Sequence, residues 1–80
     1  MHELSVALSL VELATEEGGR HGGRVCAVHI RIGQLAGVAK DALAFSFDIA
    51  THDTPIAGSR LVIEEAEGRE LELVALEIDS

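Results

Sequence analysis

The sequence predicts an α+β fold: a three-stranded mixed or antiparallel sheet with two helices packed on one face, in the order αβαββ. Three observations carry that expectation. Apolar residues recur at helical spacing in two segments, 3–17 and 39–51, and at alternate positions in the stretches around them. Glycine clusters and a single proline punctuate the chain between those segments. Eighty residues with 48% hydrophobic content suffice for one small core and are too apolar for a disordered chain.

The first helix is expected from Glu3 to Glu17. Leu4, Ala7, Leu8, Val11 and Ala14 share one face, and Val6, Leu10 and Leu13 widen it. Glu3 falls in the first turn, where a negative charge complements the helix dipole. The segment "GGRHGG" is expected to stop this helix at Gly18 and form a flexible loop. "RVCAVHIRIGQL" then reads as a strand ended by Gly33. Cys26, Val28, Ile30 and Ile32 lie on its apolar face, and Ala27, His29 and Arg31 on a partly polar one.

A second helix, from about Ala39 to Thr51, groups Val38, Ala42, Phe45 and Ile49 on one face with Leu43 and Phe47 beside it. Pro55 and Gly58 mark "THDTPIAGS" as the loop out. In the last third, Leu61 and Ile63 alternate with Val62 and Glu64, and Leu71 and Leu73 alternate with Glu70 and Glu72. Glu67-Gly68 between these runs is a hairpin signal. Apolar parity changes after Leu73, so a bulge near Val74-Ala75 is expected to keep Leu71, Leu73, Leu76 and Ile78 on one face. The expected core includes Leu8, Val11, Val28, Ile30, Phe45, Ile49, Leu61, Ile63 and Leu73.

Composition narrows the function. Six basic against fourteen acidic side chains give a net charge of −8, which argues against nucleic acid or an anionic membrane as partner. Cys26 is the sole cysteine, so one chain holds no internal disulfide and no Cys-based zinc site; a small core residue is expected there. No apolar run approaches the ~20 residues of a membrane span. The early apolar stretch carries Glu3 and Glu12 without a basic leader, so no signal peptide is expected and the expected compartment is the cytoplasm. Glu64, Glu65, Glu67, Glu70 and Glu72 read as a solvated hairpin surface. An enzyme is not expected: there is no paired acid–base constellation, activated nucleophile or cofactor motif.

The amino end carries the one constellation with a specific chemistry. "MHE" places a terminal amine, the His2 amide nitrogen and the His2 imidazole within chelating reach, closing two small fused rings around one metal ion. Nitrogen-rich planar sites suit Ni(II) and Cu(II). The Glu3 amide is a further possible donor, while its carboxylate is expected to contribute charge or an outer contact. The plain alternative is that His2 is an exposed residue at a chain start. Of the other histidines, His21 reads as a loop residue, His29 as a sheet-face residue at a surface or interface, and His52 with Asp53 as turn chemistry.

"MHELSVALSLVELA", "VHIRIGQLAGV", "ALAFSFDIA", "TPIAGSRLVIEE" and "LELVALEID" occur in this order and cover nearly the whole chain. Together they resemble the HypA/HybF family of hydrogenase maturation nickel metallochaperones. The resemblance implies Ni(II) binding through Met1, His2 and Glu3. It also implies delivery, with a HypB-like maturation GTPase, to the large subunit of [NiFe] hydrogenase or, in some bacteria, to urease. The family carries a zinc module with two Cys-x-x-Cys pairs between its last two long strands. Here "EEAEGREL" joins those strands directly near residues 67–68, as if the module had been cleanly excised, so no structural zinc is expected. Where the family often has an acid at the start of the second helix, this chain has Ala39, with Asp41 nearby. The expectation is one nickel-binding domain over residues 1–80, monomeric or weakly dimeric. The alternative is a metal-independent interaction module that kept this fold.

Overall fold

The computed structural model describes residues 2–79. Its elements run α1 (Glu3–His21), β1 (Arg24–Gly33), α2 (Lys40–Thr51), β2 (Arg60–Ala66) and β3 (Leu71–Asp79). The sheet is mixed, in the order β2-β1-β3. β1 pairs in parallel with β2 and antiparallel with β3, so both later strands are edges. β1, α2 and β2 form a βαβ unit, which a parallel pair requires because the chain must return to the same end of the sheet.

That order corrects the expected hairpin. β2 and β3 do not pair with each other; residues 67–70 carry the chain across the end of β1 instead. Three backbone hydrogen bonds hold the crossing: Gly33 N–H to Glu70 O (2.8 Å), Gln34 N–H to Ala66 O (2.9 Å) and Leu35 N–H to Gly68 O (2.8 Å). The backbone at Gly68 passes so close that a Cβ at Gly33 would collide with the Gly68 carbonyl. A turn signal between two alternating runs does not distinguish strands that are neighbours from strands separated by a third. The acidic surface is correspondingly no hairpin tip: Glu64 and Glu72 both pair with Arg31, and Glu65 pairs with Lys40.

The first helix runs one turn past its expected end. Gly18 and Gly19 are helical, and the helix stops at Gly22, whose φ of 70° is the left-handed C-cap conformation. Gly18 is buried against Val25, where the lost propensity of a helical glycine is offset by close packing of helix on strand. Arg20 in the last turn pairs with Glu16 and Glu17.

β1 also departs from simple alternation. Val25 pairs with Ile78 and Ala27 with Glu77, which leaves Cys26 as an extra residue. This bulge turns Cys26 outward and Val25 inward, so the lone cysteine is exposed and is not the core residue expected. The anticipated bulge in β3 is present: His29 pairs with Ala75 and Ile30 with Leu73, leaving Val74 as the extra residue. Leu73, Leu76 and Ile78 then pack against the core, while Leu71 stays partly exposed.

The core gathers Ala7, Leu10, Val11 and Ala14 of α1, Val25, Val28, Ile30 and Ile32 of β1, Leu43 and Phe47 of α2, and Ile56 from the loop after it. Leu61, Ile63 and Leu73 flank it. Three residues expected inside are outside: Leu8, Phe45 and Ile49 are all more than half exposed. α2 is therefore rotated relative to the expectation, burying Leu43, Phe47 and Thr51 at i, i+4, i+8. The opposite sheet face is polar. His29, Arg31 and Ala27 lie there as expected, with Ala27 covered completely and His29 2.6 Å from the Glu77 carboxylate.

Candidate metal site at the amino end

α1 begins at Glu3, and His2 occupies its N-cap position with φ −86° and ψ 44°. The His2 side chain makes no capping hydrogen bond and is exposed to solvent. The helix ladder opens with Val6 N–H donating to His2 O at 2.9 Å. The His2 and Glu3 amide N–H groups are thus ahead of the ladder, in the turn whose donors have no intrahelical acceptor. Met1, named from the sequence as a ligand, lies outside the described residues.

Glu3 is held differently. It is buried at 8% exposure, and its carboxylate Oε2 accepts the Ala39 backbone N–H at 3.0 Å. Ala39 is the N-cap residue of α2. The amino ends of the two helices are therefore tied together by a carboxylate from one capping the other. The Ala39 N–H, with the positive end of α2 behind it, holds the Glu3 carboxyl below the usual glutamate range. Residue 39 contributes its backbone, so an alanine there keeps the contact. Sequence reasoning named Glu3 and noted Ala39 separately; nothing in either segment signals that positions 36 apart meet. Asp41 is exposed in the first turn of α2, near this junction in sequence and open to solvent.

The other histidines are scattered. His21 closes α1 at its far end, about 28 Å from His2 at 1.5 Å rise per residue. His29 lies on the polar sheet face against Glu77, whose carboxyl is held below its usual range by that imidazole and by Arg60. His52 sits 3.6 Å from Asp53, both largely exposed. Among the described residues, no three His, Cys, Asp or Glu side chains converge as a metal site. Any site at His2 therefore draws on backbone nitrogen and the amino-terminal segment.

Residues 1–75 match the family model described as hydrogenase/urease nickel incorporation, metallochaperone, HypA. The hydrogenase maturation factor HypA of Chloroflexus aurantiacus is 54% identical over 66 residues, covering 81% of this chain and 58% of the relative. HypA of Roseiflexus sp. is likewise 54% identical over 66 residues, covering 81% and 54%. HypA of Geobacter metallireducens is 48% identical over 69 residues, covering 86% and 61%. The chain spans less than two thirds of the length of each of these relatives. No helix among the described residues is long and apolar enough to cross a membrane. With a family match over nearly its full length and curated relatives at about half identity, this chain belongs to the HypA family of hydrogenase and urease nickel-incorporation metallochaperones.

Proposed function

We propose that this chain is a nickel-binding domain that assists nickel insertion into [NiFe] hydrogenase, with residues 1–80 acting as one unit and nickel as cargo. The observation that carries this reading is the exposed His2 at the N-cap of α1, whose amide lies ahead of the helix ladder. With a free amine on Met1, the amine, the His2 amide nitrogen and the imidazole enclose one Ni(II) ion, ahead of the first ladder bond from Val6 N–H to His2 O. The Glu3 carboxylate, engaged by Ala39, supplies charge and anchors the segment, and the Glu3 amide is the further donor. Water, Asp41 or a recipient protein fills the remaining position. Open coordination of this kind suits a carrier, which must release its metal. Binding is expected in the micromolar range, about −8 kcal/mol.

The partners proposed are a HypB-like GTPase and the hydrogenase large subunit, with urease as the other recipient. The reading assigns the chain no enzymatic activity of its own. With Cys26 the only cysteine, folding is expected to be independent of zinc, and EDTA should leave the melting transition in place. A melt on EDTA addition would contradict that expectation.

Proton competition tests the donor set. Protons compete with nickel for the amine and imidazole nitrogens, so nickel loading should fall steadily between about pH 8 and 6. Nickel titrations across that range check it. Loading that is flat down to pH 6 would point to carboxylate ligands and overturn the amine–imidazole site.

A further inference from the structure

β3 is an edge strand of nine residues without lysine or proline; its bulge at Val74 and its carboxylates blunt part of the edge and leave the regular stretch Leu71–Leu73 open. Gly33 N–H donates to Glu70 O, so alternation along the antiparallel ladder turns the backbone groups of Leu71 and Leu73 away from β1, toward the open edge. Helix α1 does not stop at β1 but lies over this edge. Val6, Leu10 and Leu13 face Leu71 and Leu73 across a groove of about 700 Å³. A second hollow of about 470 Å³ continues past Glu17 toward His21 and Ile78. Leu13 is 48% exposed and Leu71 40% exposed, though both belong to apolar stripes. The helix layer is thus wider than the sheet: a strand added about 4.8 Å outside β3 would lie along this groove, beside Leu13 and Glu17.

We propose that the β3 edge docks an extended segment of another protein in which apolar residues alternate with basic ones. The backbone of that segment pairs with β3. Its apolar side chains enter the groove under α1, and its basic side chains extend over the other face beside Glu72, Glu77 and Asp79. Charge selects this occupant over a second copy. Arg31 is shared by Glu64 and Glu72, which leaves one carboxylate in excess, Glu17 rims both hollows with Arg20 against it, Glu77 is held by His29 and Arg60, and the chain carries a net −8, so a β3–β3 pair would still bring net like charge together. The groove does not include His2, so this docking stands apart from the nickel reading.

Nine-residue capped peptides test it on the intact protein. An alternating Leu/Lys peptide is expected to slow amide exchange at Leu71 and Leu73 and to shift the Leu13 methyl resonances. Alternating Leu/Glu and Ala/Lys peptides should bind at least about tenfold more weakly. Leu13→Lys should abolish Leu/Lys binding, and Phe45→Lys, on an exposed part of α2, should leave it intact. Both replace exposed side chains, so folding is preserved, which the exchange spectrum itself confirms. Equal binding of the Ala/Lys peptide would show that the groove takes no apolar side chains and would overturn the proposal. Equal binding of the Leu/Glu peptide, perturbation centred on Phe45, or protection of Leu71 and Leu73 by self-association of the free protein would each overturn the proposal.

Discussion

The two helices solve the same packing problem in opposite ways. α1 turns small residues inward: Ala7, Ala14 and Gly18 are buried, with Leu10 and Val11 between them, while Leu4, Leu8 and Leu13 stay about half exposed. α2 turns its large residues inward: Leu43 and Phe47 are completely buried, and Phe45 is 69% exposed. The difference follows from what each helix meets. α1 lies against α2, β1 and β3, and small side chains let it approach closely. α2 packs on α1 and meets the sheet at β2, and its large side chains reach from there into the core. In a helix with more apolar residues than one face can hold, size and local geometry decide which of them is buried.

The largest contrast is expected between two truncations in α2. Phe47→Ala should cost about 3–5 kcal/mol, enough to unfold much of an 80-residue domain. Phe45→Ala should fall within about 0.5 kcal/mol of wild type. Denaturant titration of the two variants checks this; similar losses would mean that α2 is rotated away from the orientation described.

In α1 the corresponding pair is glycine to alanine. A Cβ at Gly18 would meet Val25 Cγ2 at 2.6 Å, so Gly18→Ala should destabilise by roughly 1–3 kcal/mol. Gly19 has nothing within 4 Å of an added Cβ, and Gly19→Ala should stabilise by about 0.4–1 kcal/mol. Thermal melts with opposite shifts support the close helix–strand seam. Shifts of one sign would remove it.

The smallest effect lies where the helices meet. Folding lowers the Glu3 carboxyl below its usual range through the Ala39 N–H. Its ionised form therefore stabilises the fold at neutral pH, and this contribution is lost as pH falls from the ordinary glutamate range through the lower folded value. Glu3→Gln keeps an acceptor for Ala39 but not the charge. The variant should be less stable than wild type at pH 7, with the difference shrinking in acid. A constant difference from pH 7 to 3 would show that the charge contributes nothing.

How much of this was legible follows the same physics. Element type and order were readable because period 3.6 and period 2 dominate their segments, and the β3 bulge was readable because Leu73 and Leu76 break parity. The Cys26 bulge was not, because Val25 and Cys26 are both apolar and no parity error shows. The crossing of residues 67–70 over β1 was hidden because a turn signal carries no information about which strands pair. At the candidate site, the donor types at His2 follow from position alone. The link between Glu3 and the Ala39 amide does not, since a backbone donor leaves no mark on the residue that supplies it.

We propose that nickel binds at the amino end through Met1, His2 and Glu3. Nickel calorimetry on three untagged forms tests it most directly: wild type, His2→Ala, and a form with one residue added before Met1. His2→Ala removes the imidazole, and the extension removes the terminal amine from register, while both leave the core of α1 in place. Wild type is expected to bind one nickel per chain and both variants at least about tenfold more weakly, with unchanged melting transitions. Equal nickel binding by all three forms would contradict it.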